Sequence, residues 1–161
     1  MELVSRILLV LILIQAILGG GNTMINSLRD PYDVIQIGDN LNKTKEIYKD
    51  LIDKDLISTI IIKSGQSRVV ILSDGEVVSS VICFENRSAT MSYKGVAPID
   101  QFDPSELDGK TIYDMIELLG SPHGDIGSGL YLPAYVVNDG TIVYFCITGE
   151  KITGSEVINI F

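Results

Sequence analysis

The stretch GSPHGDIGSGLYLPAY, residues 120–135, holds the side chains best suited to chemistry: the single histidine, His123, with Asp125 and Ser128 close behind, and glycines at 120, 124, 127 and 129. Histidine, carboxylate and hydroxyl are the parts of a hydrolytic relay. Three residues crowded into six positions rarely reach one another in relay geometry, however, and the Gly-x-Ser-x-Gly elbow that exposes a serine nucleophile is absent. The spacing Gly124-x-x-Gly127-x-Gly129 also differs from a dinucleotide fingerprint, because it follows a helix and precedes a strand. Phosphate binding needs the reverse order, so that backbone amides converge at a helix N-terminus. No lysine follows, as a P-loop requires. The glycines are better explained as residues that permit positive φ in a tight return. His123 is expected to bond Asp125 locally and to be structural; the alternative is a small secreted hydrolase using His123 with Asp125 or a distant carboxylate.

Cofactor and metal chemistry find no other footing. One histidine without a Cys-x-x-Cys pair cannot furnish a zinc site with its usual ligands. The acidic run from Asp39 to Glu46 lacks the sixth-position glycine of a calcium loop, and Asp100 to Asp108 carries its acids at the wrong steps. No catalytic residue, cofactor or metal is assigned. Asn42-Lys43-Thr44 and Asn86-Arg87-Ser88 are glycosylation sequons.

The elements on either side of the loop explain why it is there. Asp103-Pro104-Ser105-Glu106 reads as a cap with proline at the first helical position, and Asp108-Gly109 ends that turn. Thr111 then caps the main helix with Asp114 three residues on, and Ile112, Met115, Ile116 and Leu119 form the inward stripe of a helix lying on a sheet. Gly120 supplies the left-handed stop and Pro122 forbids continuation. Downstream, Asp139-Gly140 reads as a two-residue hairpin turn that pairs Tyr135 with Tyr144. Alternation then places Leu132, Val136, Val143, Phe145 and Ile147 toward the helix, and Tyr131, Pro133, Tyr135, Tyr144 and Cys146 on the other face.

The first half echoes this plan. Thr44 is placed to cap a helix bearing Ile47, Tyr48 and Leu51, and strand-like runs follow at Ile57 to Lys63, Arg68 to Leu72 and Val77 to Phe84. A shift of 65 residues carries Ile47, Tyr48 and Leu51 onto Ile112, Tyr113 and Ile116, and Asp74-Gly75 onto Asp139-Gly140. The expected architecture is therefore α+β, with helices packed on one face of an antiparallel sheet and two tandem helix-plus-hairpin repeats, 41–96 and 105–161, in a single domain 41–161. In that arrangement Cys83 and Cys146 share the tyrosine-bearing face. They are read either as a disulfide or as buried free thiols.

The motif Gly109-x-Thr111-x-x-x-Met115-x-x-x-Leu119-Gly120-x-Pro122 resembles the signature of SmpA/OmlA-type envelope lipoprotein domains and the related β-lactamase inhibitory protein fold. The likeness spans about 50 residues, Glu106 to Ile158. It implies helices on one face of an antiparallel sheet, export, and protein binding rather than catalysis. The first half lacks the Gly-x-Pro stop, and the lipid-bearing cysteine of those lipoproteins is missing.

Charge and the N-terminus complete the expectation. Of 161 residues, 12 are Lys or Arg and 21 are Asp or Glu, a formal charge of −9. That balance disfavours nucleic acid and anionic lipid, which need clustered cations. Arg6 precedes an apolar run, Ile7 to Leu18, and Gly19 to Gly21 are small enough for signal peptidase. Residues 1–21 are read as a signal peptide or an uncleaved N-terminal anchor, the only expected membrane contact, and residues 22–40 as a linker. The expected protein is extracytoplasmic, secreted or N-terminally anchored, and binds another protein through Tyr131, Tyr135, Tyr144, His123 and Asp125. A structural alternative is an anchored domain that spaces other envelope components.

Overall fold

The computed structural model describes residues 30–86 and 91–161. The predicted signal peptide or anchor, the earlier part of the linker and most of the Asn86-Arg87-Ser88 sequon lie outside the described residues.

Three apolar runs dominate the first half: Ile60-Ile61-Ile62, Val69-Val70-Ile71-Leu72 and Val81-Ile82-Cys83-Phe84, every member buried. β-Branched side chains favour extended backbone, and a run without polar alternation belongs to a strand covered on both faces. These runs form β2 (Thr59–Ser64), β3 (Ser67–Asp74) and β4 (Val77–Phe84). With β1 (Ile52–Leu56) and β5 (Met91–Lys94) at the edges they make a five-stranded antiparallel sheet in sequence order. A second antiparallel sheet, also in sequence order, holds β6 (Gly124–Asp125), β7 (Pro133–Val137), β8 (Thr141–Thr148) and β9 (Lys151–Asn159).

Side-chain alternation stacks these sheets in four layers. Ile60, Ile62, Val69, Ile71, Val81 and Cys83 point outward, against Ile35, Leu41 and Tyr48 from the segment carrying α1 (Pro31–Val34) and α2 (Leu41–Tyr48). Ile61, Val70, Leu72, Ile82 and Phe84 point inward and meet Ala134, Val136 and Ile142 of the second sheet and Ile160 just beyond β9. On that sheet's far side Tyr135, Val137, Val143, Phe145 and Ile152 pack against Leu107 and against Met115 of α3 (Ile112–Leu119). Burial of each large apolar side chain contributes about 2 kcal/mol. Among the described residues no helix is long and apolar enough to cross a membrane.

This arrangement corrects the expected architecture. Two antiparallel sheets face each other and strands predominate; the helices are short, and they do not gather on one face of a single sheet. The tandem repeat fails as well. From Leu41 to Ile112, the starts of α2 and α3, the offset is 112 − 41 = 71 residues, while the hairpin echo requires 65; the sheets have five and four strands. α2 is capped by Asn40, which accepts the Lys43 N–H, whereas Thr44 sits inside the helix and donates to the Asn40 carbonyl. The second part of the predicted linker, residues 30–40, belongs to the fold: Ile35 is buried, and Lys94 Nζ caps α1 by donating to the Tyr32 and Ile35 carbonyls.

The β7–β8 hairpin shows how one residue changes a face. The observed pairs are Val137 with Thr141, Val136 with Ile142, Tyr135 with Val143 and Ala134 with Tyr144. The connection is Asn138-Asp139-Gly140, with Gly140 at φ +84° and its N–H bonded to the Val137 carbonyl. Such a three-residue loop ends in a left-handed residue where a two-residue turn would not, and the slip moves every β8 side chain to the opposite face relative to β7. Tyr135 and Tyr144 therefore point in opposite directions, and Tyr135 lies beneath α3.

Candidate functional site

α3 is fixed at both ends by the interactions its sequence predicts. The Asp114 carboxylate accepts from Thr111 N at 2.8 Å and from Thr111 Oγ1 at 2.7 Å, while Thr111 Oγ1 accepts from Asp114 N at 3.2 Å. Those bonds, the backbone one first, hold the Asp114 carboxyl below its usual range. At the other end Gly120, at φ +81°, donates to the Ile116 carbonyl, and its own carbonyl accepts from Tyr135 Oη at 2.8 Å. Met115 is fully buried and Ile112 and Leu119 flank it, but Ile116 is 38% exposed and lies at the margin of the stripe.

The loop that follows is stapled from inside. His123 donates its N–H to the Ala134 carbonyl, and its Nδ1 accepts from Val136 N at 3.0 Å. The imidazole thus takes the place of a strand carbonyl at the sheet edge, which requires the neutral ring with Nδ1 unprotonated. Its ring centroid lies 5.5 Å from that of Tyr135, the two rings tilted by 55°, and burial pushes its pKa down to about 4. Asp125 Oδ1 accepts from Gly127 N and Leu132 N, both at 2.9 Å, drawing the two sides of the loop together. Ser58, between β1 and β2, joins the sheets: its hydroxyl accepts from Asp125 N at 3.0 Å and donates to the Asp125 carbonyl.

The glycines of this loop follow from its geometry. A Cβ at Gly127 would lie 1.6 Å from the Leu130 carbonyl oxygen, so only glycine fits, and Gly129 adopts φ +87°. This tight return lifts Leu130 and Tyr131 into solvent, 75% and 48% exposed, while α3 presents Tyr113 and Leu118 at 69% and 60%.

The predicted residues separate into distinct roles. His123, Asp125, Tyr131 and Tyr135 gather around the loop, but His123 and Asp125 do not bond each other, since each is engaged with backbone amides. The local pair that a hydrolase built on His123 and Asp125 would use is not assembled. Tyr135 is fully buried, and burial raises its phenol pKa. Tyr144 sits apart, half-buried on the inner face, where a hydrogen bond to Glu156, followed by burial, pushes its pKa up to about 12. Over β7 and β8 the first sheet covers one face and α3 with Leu107 the other, so no open tyrosine-bearing face is left there.

Cys83 and Cys146 are free thiols and do not pair. Cys83 faces the α1–α2 layer, on the far side of the first sheet from β8, so the sheet itself stands between them. Burial, then Asp30, Glu85 and Asp33, push the Cys83 thiol up to about 11, which favours the protonated thiol over the nucleophilic thiolate at neutral pH. A cleft of about 690 Å³ between α1 and α2, lined by Ile35, Asn40, Lys43, Ile47 and Tyr48, contains none of the predicted site residues.

Ser58 was not marked by any sequence signal, because it is one serine beside an apolar run. Tyr113 and Leu118 do carry a readable signal, being large apolar residues off the inward stripe of α3.

No protein-family model, curated protein or solved structure matches the chain. The likeness to SmpA/OmlA-type domains over Glu106 to Ile158 rests on the sequence alone, with its motif at residues 109–122.

Proposed function

We propose that this chain is an exported, non-enzymatic protein-binding module, acting as an envelope accessory or inhibitor, whose contact surface is the stapled loop 120–131 with the outer side of α3. The observation that carries the proposal is the exposure of Leu130 and Tyr131 on a loop whose backbone is held by Asp125, His123 and Ser58. Large apolar side chains on a preorganised loop lose little conformational entropy on binding and form the usual anchors of an interface. Asp108, Asp114, Glu117 and Asp125 lie on α3 and its flanking segments, with a chain charge of −9, so the partner surface that fits is an apolar pocket with a basic rim. The N-terminal run Ile7 to Leu18 supports export.

The test is capture from an envelope extract with the wild-type chain, the Leu130→Ser/Tyr131→Ala variant, and Tyr93→Ala as a control at an exposed tyrosine on β5. The proposal expects a partner retained by the wild type and the control and lost from the loop variant, with all three melting alike. Equal capture by all three overturns it.

A further inference from the structure

A sheet edge presents unpaired backbone groups, and proteins ordinarily shorten it, charge it or cover it. Three of the four edges here follow that rule. β1 carries Asp53, Lys54 and Asp55, β6 has two residues, and β5 has four and ends at Lys94, which is tied to α1. β9 is nine residues long. Its near end is covered, since Gly109 N donates to the Ile152 carbonyl and Ile152 N to the Lys110 carbonyl, each at 2.9 Å. At the far end Lys54 Nζ donates to the Asn159 carbonyl.

The middle of β9 is open, and bond parity shows which groups it offers. The Ile160 N–H bonds the Gly140 carbonyl at 3.0 Å, which makes Thr141 and Asn159 a pair that exchanges no bonds. Alternation gives the same status to Val143–Val157 and Phe145–Ser155. Ser155, Val157 and Asn159 therefore direct their N–H and C=O groups away from β8, and among the described residues no backbone group meets those of Ser155 or Val157 on that side. The Val157 side chain is 57% exposed.

We propose that this edge pairs with β9 of a second copy of the chain, antiparallel about a two-fold axis at Val157, joining two four-stranded sheets into one of eight strands. The register is self-complementary. Val157 meets Val157 of the second copy, Ser155 meets Asn159, and Glu156 falls opposite Ile158, so no like charges oppose each other. About six backbone hydrogen bonds form across the axis. The Asn159 carbonyl has two lone pairs and can keep Lys54 while accepting one of them. The pairing is independent of the loop reading, because β6 and β9 are opposite edges of the second sheet. A dimer through β9 leaves both 120–131 loops free and presents them in duplicate, which raises avidity for any partner with repeated sites.

The test uses the full chain with Cys146→Ser. In that background Val157→Cys should form a disulfide-linked dimer on mild oxidation, because opposed residues of a bonded pair lie about 5.5 Å apart at Cα, within disulfide reach. Ser155→Cys, which faces Asn159 instead of itself, should cross-link about tenfold less. Val157→Pro removes an N–H that bonds nothing within one copy and should convert wild-type dimer to monomer in sedimentation with an unchanged circular dichroism spectrum. A wild type that sediments as a monomer at every concentration, or equal cross-linking at positions 155 and 157, overturns the proposal.

Discussion

Lowering the pH from 7 to 4 should destabilise this protein through a single side chain. The His123 ring must be neutral for Nδ1 to accept the Val136 N–H, and burial lowers its folded pKa from 6.5 to about 4. Between those values the unfolded chain binds a proton that the folded chain refuses, so stability rises with pH across that window. The contribution is complete above about 6.5, declines as pH falls, and is lost below about 4. At about 1.4 kcal/mol per pH unit the linked loss approaches 3 kcal/mol, and solvent at the half-open ring reduces it to about 2 kcal/mol. The measurement is urea unfolding at pH 7, 6, 5 and 4 for wild type and His123→Asn, which keeps an acceptor near the Nδ1 position but does not titrate. Carboxylates titrate alike in both chains, so the difference between the two curves isolates the ring. The expected result is a stability difference that shifts by about 2 kcal/mol in favour of the variant between pH 7 and pH 4. The chain has one histidine, so its proton resonance can be followed directly. Parallel curves, or a midpoint near 6.5 by magnetic resonance, would refute the burial argument.

Three further outcomes follow from the loop. Gly127→Ala forces a Cβ to within 1.6 Å of the Leu130 carbonyl oxygen, and calorimetry should show a loss of about 3 kcal/mol with faster proteolysis between residues 124 and 132. Asp125→Ala leaves the Gly127 and Leu132 amides without their acceptor and should cost about 2 kcal/mol in denaturant unfolding, whereas Asp125→Asn should recover most of it. Tyr135→Phe removes the bond to the Gly120 carbonyl while keeping the ring packed; a melting point lowered by the equivalent of about 1 kcal/mol is expected, and an unchanged one would show that the bond contributes nothing.

The segment from Thr111 to Gly120 is legible in the sequence because its signals are local: a capping pair three residues apart, an apolar stripe at helical spacing, and a glycine before Ser-Pro all act within one element. The β7–β8 register is not, because Asp139-Gly140 fits a two-residue turn as well as the last two positions of the three-residue loop the chain adopts. That slip buries Tyr135 and removes the tyrosine-bearing face. The second layer was written in Ile60-Ile61-Ile62 and Val69-Val70-Ile71-Leu72, whose lack of polar alternation demands cover on both sides. β9 is weak in sequence, because Lys151, Thr153, Gly154, Ser155 and Glu156 resemble a loop and are held extended by pairing with β8. The glycines at 127 and 129 are legible as a tight return, but the staple from Ser58 is a long-range contact with no local mark.

The seam between the sheets sets the order in which the chain comes to rest during synthesis. Ile61, Val70, Leu72, Ile82 and Phe84 take their buried cover from Ala134, Val136, Ile142 and Ile160, all of which leave the ribosome later. Between Phe84 and Ile142 lie roughly 60 residues, about 3 to 12 seconds of translation, through which that oily flank stands bare. A nascent chain in this state suits a holding chaperone, because the inner flank of the first sheet gains its cover only once β7 and β8 have emerged.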